Sequence, residues 1–270
     1  MVRVEMLAVG RELLIGRTLD TNSNWVGRRL ATLGAKLSRT STVDDELGEI
    51  VGALRESMER RTDFAIVVGG LGPTPDDMTL RGVAAGLGFG LRTNPRAMAM
   101  IAGHYEGAGL GRVPMTAARR KMALLPEGSE PLENETGTAP GVRVVSGRAV
   151  IFCLPGVPLE MRRMFRRSVE PELKKAFGRV YRHAATLKLE GVMESALAPV
   201  IERQLKARPG TYIKSHPRGI EGGLSMIELD VAVVSDDAVA SRSEVEAVVM
   251  EIVRAVRRAG GRARPVKARL

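Results

Sequence analysis

The chain is organised around one stretch, which reads Val67-Val68-Gly69-Gly70-Leu71-Gly72-Pro73-Thr74-Pro75-Asp76-Asp77-Met78-Thr79. An apolar run rich in β-branched residues, from Phe64 to Val68, leads into it and is too short for a buried helix. Three glycines and two prolines then end this run abruptly. The sequence therefore predicts a buried strand that ends in a tight, glycine-rich turn.

The same turn carries groups suited to binding a phosphate and a metal ion. Glycines let backbone N–H groups approach a ligand closely, and Asp76, Asp77 and Thr79 place two carboxylates and a hydroxyl at the start of the next helix. A tight turn closed by a capping aspartate would show the same glycine pattern. The two adjacent carboxylates favour the functional interpretation over that structural one.

Strands and helices alternate on the amino-terminal side of this turn. The predicted elements are strands at residues 3–9, 36–43 and 63–68 and helices at residues 22–33 and 46–60. Such alternation is typical of right-handed βαβ units in a mainly parallel sheet. We therefore expect a three-layer αβα domain over residues 1–177, in which the loops after Val9, Val43 and Val68 meet at one edge of the sheet.

A hairpin and a second, smaller domain are predicted further along the chain. Ser146-Gly147-Arg148 joins two apolar runs, which is typical of an antiparallel pair. The following pattern predicts a strand, a helix, two strands and a helix, with a turn at His216-Pro217-Arg218-Gly219. We expect a small α+β (βαββα) domain over residues 178–258 and a basic, disordered tail over residues 259–270.

The composition limits the class of protein. The 270-residue chain is 44% hydrophobic but has no run near twenty apolar residues, so we expect a cytoplasmic protein without a membrane span or signal peptide. Its single cysteine, Cys153, lies in an apolar run, which excludes an intramolecular disulfide and favours a buried structural thiol. The net charge of +10 favours anionic partners, but aromatic residues make up only 3%, so nucleic acid is not the favoured partner.

Four motifs in chain order carry a family resemblance. They are Gly10-x-Glu12-Leu13-Leu14-x-Gly16-Arg17-x-x-Asp20-Thr21-Asn22, Gly69-Gly70-x-Gly72-Pro73-Thr74-x-Asp76-Asp77-x-Thr79, Gly137-Thr138-Ala139-Pro140-Gly141 and Leu154-Pro155-Gly156-Val157-Pro158-x-Glu160-Met161. Together they resemble the amino-terminal region of the competence/damage-inducible protein CinA. That region is built on the molybdopterin-binding domain shared with the molybdenum-cofactor proteins MogA, MoaB and MoeA.

The chain departs from the family pattern at two positions and in one domain. Leu71 stands where the family usually has threonine, and Arg11 stands where a small or polar residue is common. We see no counterpart of the nicotinamide-mononucleotide deamidase domain that often follows in CinA, so we expect no deamidase activity.

The resemblance implies a nucleotide or pterin ligand that lies across the three convergent loops. Some CinA proteins hydrolyse ADP-ribose at this domain with a divalent metal, whereas MogA-like relatives adenylylate molybdopterin. We therefore expect a metal-dependent nucleotide pyrophosphatase acting on ADP-ribose or a similar nucleotide, with Mg²⁺, Mn²⁺ or Co²⁺ as cofactor. The alternatives are a molybdopterin-binding or adenylyltransferase protein and a non-catalytic nucleotide- or nucleic-acid-binding module. Family analogy also implies a homo-oligomer.

The resemblance assigns roles to individual residues. Asp45 and Asp77 match aspartates of the MogA-like pattern and are predicted to be catalytic, and Asp76 and Asp77 are the predicted metal ligands. The predicted ligand-binding residues are Glu12, Asp20, Asn22, Gly70, Gly72, Thr74, Gly137, Thr138, Gly156 and Glu160. The glycine loop is expected to contact the phosphate, whereas the loop from residue 12 to residue 22 either contacts the ribose or base or supports the glycine loop by hydrogen bonds.

Overall fold

The computed structural model describes residues 2–106 and 114–266, and the chain divides into two compact units. The first unit comprises Met1–Leu30 and Lys36–Phe177, and the second comprises Ala31–Ala35 and Gly178–Leu270. No helix within the described ranges is both long enough and apolar enough to cross a membrane.

The first unit alternates strands and helices along most of its length. Its strands are β1 (Val4–Val9), β2 (Leu37–Val43), β3 (Phe64–Val68), β4 (Leu91–Thr93), β5 (Leu124–Pro126), β6 (Glu130–Leu132), β7 (Gly141–Ser146) and β8 (Ala149–Leu154). Its helices are α1 (Arg11–Leu14), α2 (Thr21–Thr32, whose last two residues are assigned to the second unit), α3 (Leu47–Glu59), α4 (Thr79–Leu87), α5 (Pro95–Tyr105), α6 (Ala117–Lys121), α7 (Pro158–Met164) and α8 (Glu170–Phe177). A π-helical turn, Phe165–Val169, joins α7 to α8.

The central sheet of this unit is mainly parallel, as predicted. Its strand order is β2-β1-β3-β8-β7-β6, in which β2, β1, β3 and β8 are parallel and β7 is antiparallel to β8. The short strands β4 and β5 form a separate antiparallel pair. The parallel register places the ends of β1, β2 and β3, at Val9, Val43 and Val68, on the same edge of the sheet.

Both faces of the central sheet are buried. Val67 of β3 packs in one core cluster with Ile50 of α3 and Val83 of α4. Its neighbour Ile66 points to the opposite face, because side chains alternate along a strand, and it is also fully buried. Helices therefore cover the sheet on two sides, which confirms the expected α/β architecture.

Cys153 lies in β8 and is completely buried in the core of the first unit. Burial raises the pKa of its thiol to about 12, because the charged thiolate is poorly solvated there. The thiol is therefore a packing group rather than a nucleophile.

The second unit has an antiparallel sheet with two helices. Its elements are β9 (Tyr181–Glu190), α9 (Glu194–Ala207), β10 (Thr211–Glu221), β11 (Leu224–Ser235), α10 (Ala238–Arg258) and β12 (Arg262–Val266). The strand order is β10-β11-β9-β12. Alternate residues of the strands, among them Leu187 and Val231, form a core with Val248 and Ile252 of α10. The first five elements follow the predicted βαββα order.

The predicted turn at His216-Pro217-Arg218-Gly219 is wrong. These residues lie within β10, and the ladder with β11 continues past them to the pair Glu221 and Leu224. A register shift between Pro217 and Gly219 accommodates the proline and glycine, which a regular ladder excludes. The connecting turn is formed by Gly222 and Gly223, whose positive φ angles suit a tight hairpin.

The prediction of a disordered tail over residues 259–270 needs correction at its centre. Arg262–Val266 form β12, which pairs with β9 from Glu190 to Thr186. The outer edge of β9 offers unpaired backbone groups, so a short basic segment can become ordered without a large apolar content. Residues 267–270 lie outside the described residues.

Candidate functional site

The glycine loop begins where β3 ends, and its first two residues need to be glycine. Gly69 has a φ of 110°, and a Cβ atom there would overlap the carbonyl oxygen of Val9 in β1. Gly70 has a φ of 60° and lies against the hydroxyl of Thr79, which donates a 2.7 Å hydrogen bond to the Gly69 carbonyl. The loop therefore crosses directly over the end of the neighbouring strand.

Asp77 closes the turn that follows. Its Oδ2 accepts hydrogen bonds from the backbone N–H of Thr74 at 2.9 Å and from the Thr74 hydroxyl at 2.6 Å. A Cβ atom on Gly72 would lie 2.5 Å from the same oxygen, so the glycine leaves room for the carboxylate. Asp77 therefore closes a tight turn, as the structural interpretation of the glycine pattern expected. Its catalytic and metal-binding roles stay predictions.

Leu71, the departure from the family pattern in this loop, is explained by packing. Its side chain is only 4% exposed and belongs to the core cluster of the first unit. The leucine side chain therefore makes buried apolar contacts where the threonine of the family pattern would carry a hydroxyl. The backbone of the loop remains at the edge of the sheet.

A group of acidic residues lies beside the glycine loop, at the end of β2. The guanidinium of Arg11 pairs with Asp44 at 3.0 Å, and the Arg11 backbone N–H donates to Asp45 at 2.9 Å. Burial raises the pKa of Asp45, and the nearby carboxylates of Glu12, Asp44 and Asp76 raise it further. Asp45 therefore holds a proton more readily than an exposed aspartate does.

Asp76 has the opposite electrostatic environment. The nearby hydroxyl of Thr74 lowers the pKa of Asp76, and the ammonium of Lys121 contributes in the same direction. Asp76 is therefore ionised at neutral pH, a state suited to binding a cation.

These loops enclose a cavity of about 570 Å³ at the carboxyl ends of the parallel strands. Six acidic residues line it: Glu12, Asp20, Asp45, Asp76, Asp77 and Glu160. No lysine, arginine or histidine is found among the described residues of its wall. The cavity is therefore electrostatically suited to a cation, or to an anion that arrives together with one.

Two of the predicted ligand residues on the far side of this cavity hold backbone in place. Both carboxylate oxygens of Asp20 bond to Ser23, one of them to its backbone N–H at 2.8 Å, which caps α2. The amide nitrogen of Asn22 donates to the carbonyl of Gly156 at 2.8 Å and so joins α2 to the loop after β8. Both oxygens of the Asp20 carboxylate are therefore engaged in capping α2.

Glu160 is tied to the loop that precedes β7. Its Oε2 accepts a 2.7 Å hydrogen bond from the amide of Asn134, whose own oxygen accepts from the N–H of Gly137 at 2.9 Å. A Cβ atom on Gly137 would overlap the Glu160 carboxylate. The small residues of this loop therefore let Glu160 and Asn134 approach the backbone.

Most of the predicted site residues share the cavity wall. Those that line it are Glu12, Asp20, Asn22, Asp45, Gly70, Gly72, Asp76, Asp77, Thr138, Gly156 and Glu160. Thr74 and Gly137 do not line it, since Thr74 supports Asp77 and Gly137 lies in a neighbouring cavity of about 540 Å³. Their binding roles stay predictions.

The sequence interpretation missed two residues that support the site. Asn134 Oδ1 also accepts from the N–H of Thr136 two residues on, the contact that defines an Asx turn, so its role could have been predicted. Lys121 contacts the glycine loop from a helix far along the chain, and no local pattern indicates this contact.

The cavity wall has the donor chemistry for a divalent cation but lacks a complete ligand set. Within residues 2–106 and 114–266, no group of three or more His, Cys, Asp or Glu side chains has the geometry of a metal site. Mg²⁺ is commonly held by one or two carboxylates together with water and substrate phosphates. The carboxylates of Glu12 and Asp76 supply oxygen donors of the kind that this mode of binding uses.

The fold and the cavity define an α/β domain with an acidic cavity at the carboxyl ends of its parallel strands. A family model described as "probable molybdopterin binding domain" matches residues 5–175, and the chain belongs to this family. The chain is also similar to the crystal structure of the protein CinA from Thermoplasma acidophilum, whose function is described as unknown. The two are 38% identical with a TM-score of 0.58, over 63% of this chain and 96% of that one. The predicted CinA-like resemblance is confirmed.

Two archaeal proteins are similar over a greater length. A protein of Pyrobaculum arsenaticum is 42% identical over 226 residues, which cover 84% of each chain. A protein of Aeropyrum pernix is 39% identical over 259 residues, which cover 96% of this chain and 95% of that one. The similarity to the Aeropyrum protein thus extends into the second unit, beyond the residues that the family model matches.

Proposed function

We propose that the chain is a metal-dependent nucleotide pyrophosphatase that hydrolyses ADP-ribose or a similar nucleotide. The observation that carries the proposal is the acidic wall of the cavity, with six carboxylates and no cationic side chain among the described wall residues. Such a wall repels a diphosphate unless a cation lies between them. A nucleotide diphosphate therefore enters this site together with a divalent metal.

The reaction needs a water molecule, a base and a positive charge near the diphosphate. Water attacks one phosphorus atom and the bridging P–O bond breaks, so that ADP-ribose and water give AMP and ribose 5-phosphate. A bound divalent metal supplies charge that stabilises the phosphates during this step. Glu12 and Asp76 would hold the ion, and Asp45, whose pKa is raised by burial, is the candidate base for the proton of the attacking water.

The remaining predicted residues shape the binding site. Asp77 fixes the turn through Thr74, and the backbone of Gly70 and Gly72 forms the wall on which the phosphates lie. Asn22 fixes the loop at Gly156 on the opposite wall, where the sugar or base of the nucleotide would lie. The metal, the substrate and these roles are proposals.

Hydrolysis can be tested directly with purified protein. We expect the protein to release AMP from ADP-ribose in the presence of Mg²⁺, Mn²⁺ or Co²⁺ and to release none when a chelator is added. Chromatography of the reaction mixture measures the AMP. Asp45→Asn should lower kcat/KM roughly 10²- to 10⁴-fold, the usual contribution of a general base. Glu244→Gln is a matched control, because Glu244 is exposed on α10 in the second unit.

A failed assay would still distinguish the alternatives. Binding of ADP-ribose without AMP release under any metal would indicate a non-catalytic nucleotide-binding module. The description of the family model favours a second candidate, a molybdopterin-binding protein or adenylyltransferase that uses the same cavity. Incubation with ATP and molybdopterin, with mass detection of an adenylylated pterin, tests that reaction.

A further inference from the structure

Lys121 lies at the end of α6 and reaches under the glycine loop. Its Nζ donates to the backbone carbonyls of Asp77 at 2.7 Å, of Thr74, and of Gly72 at 3.5 Å. An ammonium group has three N–H donors, and here three carbonyl oxygens of one loop surround it. The Lys121 side chain is partly buried, and its bonds to Gly72 and Asp77 are partly shielded from water.

The composition of the loop explains why it needs an outside donor. Pro73 and Pro75 have no backbone N–H, so this segment has more carbonyl acceptors than donors. Within the loop, the Thr74 carbonyl accepts a bond from the N–H of Asp77 at 3.1 Å. The Lys121 ammonium supplies donors for three of these carbonyl groups, two of them in partly buried contacts.

The glycine loop separates Lys121 from the acidic cavity. Gly70, Gly72 and Asp77 line the acidic cavity and also a second cavity of about 350 Å³. Lys121 lines only the second cavity. The ammonium thus lies behind the loop, while the loop presents Asp76 and Asp77 to the acidic cavity in front.

We propose that Lys121 is the positioning residue of the glycine loop, and that the cation affinity of the acidic cavity depends on this side chain although it does not line the cavity. Its three carbonyl contacts fix residues 72–77 in one conformation, and this conformation keeps Asp76 at the wall of the acidic cavity. The statement about cation affinity rests on the proposed metal-dependent function. The statement about loop conformation is independent of it.

The test compares Lys121→Met, which keeps an unbranched apolar stem but lacks the ammonium group, with Lys121→Arg and with the unmodified chain. Lys206→Met is the matched control, because Lys206 is an exposed lysine that pairs with Glu202 four residues earlier on α9. Hydrogen exchange reports the loop amides of residues 74–79, and calorimetric titration with Mn²⁺ alone reports cation affinity.

For Lys121→Met we expect about tenfold or faster exchange in the loop and a Kd for Mn²⁺ raised about tenfold or more, the scale of one lost charge-assisted hydrogen bond. Exchange in β1 and β3 should not change. Lys121→Arg should give loop exchange and Mn²⁺ affinity between those of Lys121→Met and those of the unmodified chain. It restores the charge, but its planar guanidinium cannot reach all three carbonyls. Lys206→Met should match the unmodified chain in both measurements.

Each other outcome has a definite meaning. Unchanged loop exchange and unchanged Mn²⁺ affinity in Lys121→Met would overturn the positioning role. If the unmodified chain does not bind Mn²⁺, the proposed metal-dependent function fails, and loop exchange alone decides the role of Lys121. If Lys121→Met loses protection from exchange throughout the chain, the Lys121→Arg variant decides whether Lys121 positions the loop. Loop exchange in Lys121→Arg equal to that of the unmodified chain would then contradict the proposed role of the three carbonyl contacts.

Discussion

Gly72 tests, at the scale of one residue, whether the capped turn matters for the site. A methyl group at this position would meet Asp77 Oδ2 at 2.5 Å and displace the carboxylate from Thr74. We expect Gly72→Ala to lower the rate of AMP release from ADP-ribose about tenfold or more, because the turn loses a charge-assisted hydrogen bond. The rate with saturating metal and the melting temperature are the two measurements.

Gly52 provides the control for this substitution. It lies within α3, and a Cβ atom there would meet no neighbour within 4 Å. We expect Gly52→Ala to raise the free energy of unfolding by roughly 0.5–1 kcal/mol, since alanine restricts the unfolded chain and fits a helix. Equal activity of Gly72→Ala and Gly52→Ala would show that the Asp77 cap is not needed for catalysis.

At the scale of elements, a partly buried ion pair joins α2 to the start of α8. Glu170 is 4% exposed and bonds to the guanidinium of Arg29 through both oxygens, at 2.8 and 2.6 Å. We expect Glu170→Gln to lower the free energy of unfolding of the first unit by roughly 2 kcal/mol at pH 7. Urea unfolding measures this, and Glu202→Gln, which alters an exposed pair with Lys206, should change it by less than about 0.5 kcal/mol.

The same ion pair predicts a pH dependence with a definite sign. The hydrogen bond from Arg29 lowers the pKa of Glu170 below its unfolded value. The stabilisation is therefore fully present above the unfolded pKa and is lost as the pH falls through the lowered folded pKa. The difference between the unmodified chain and Glu170→Gln should be greatest near neutral pH and shrink under acid conditions. A difference that grows with acid would contradict the assignment.

The sequence predicts regular elements well where hydrophobic period and turn chemistry agree. The strand at Phe64–Val68 and the hairpin at residues 146–148 are examples, since glycines and apolar runs fix them locally. β12 could not be predicted, because it forms only where β9 offers a free edge. The turn expected at residues 216–219 was wrong for a related reason, since pairing with β11 outweighed the local proline and glycine.

The candidate site divides in the same way. The convergence of Glu12, Asp45 and Asp76 follows from parallel strands whose ends share an edge, so it was predictable from topology. The capping contact of Asp77 with Thr74 is local and matches a known turn pattern. Lys121 is separated from the loop by more than forty residues, and its three carbonyl contacts depend on the tertiary fold alone.

At the scale of the whole molecule, the two units differ in what they contribute. All described residues that line the acidic cavity belong to the first unit. The second unit contains its own sheet and core, and basic residues follow one another from α10 into β12 without an acid after Glu251. The expected homo-oligomer is a further property of the whole chain, which light scattering during size exclusion can measure.

Removal of residues 261–270 tests whether the second unit is needed for the proposed reaction. The truncation deletes β12 and leaves the edge of β9 unpaired, so we expect the second unit to lose roughly 2–4 kcal/mol of stability. Calorimetry should show a lower transition for this unit. A chain ending at Val266 keeps β12 and is the control, with no change expected. Since the cavity wall lies in the first unit, AMP release per molecule should be the same in both truncated chains as in the full chain. Loss of AMP release on removal of residues 261–270, but not in the chain ending at Val266, would show that the proposed reaction depends on the second unit.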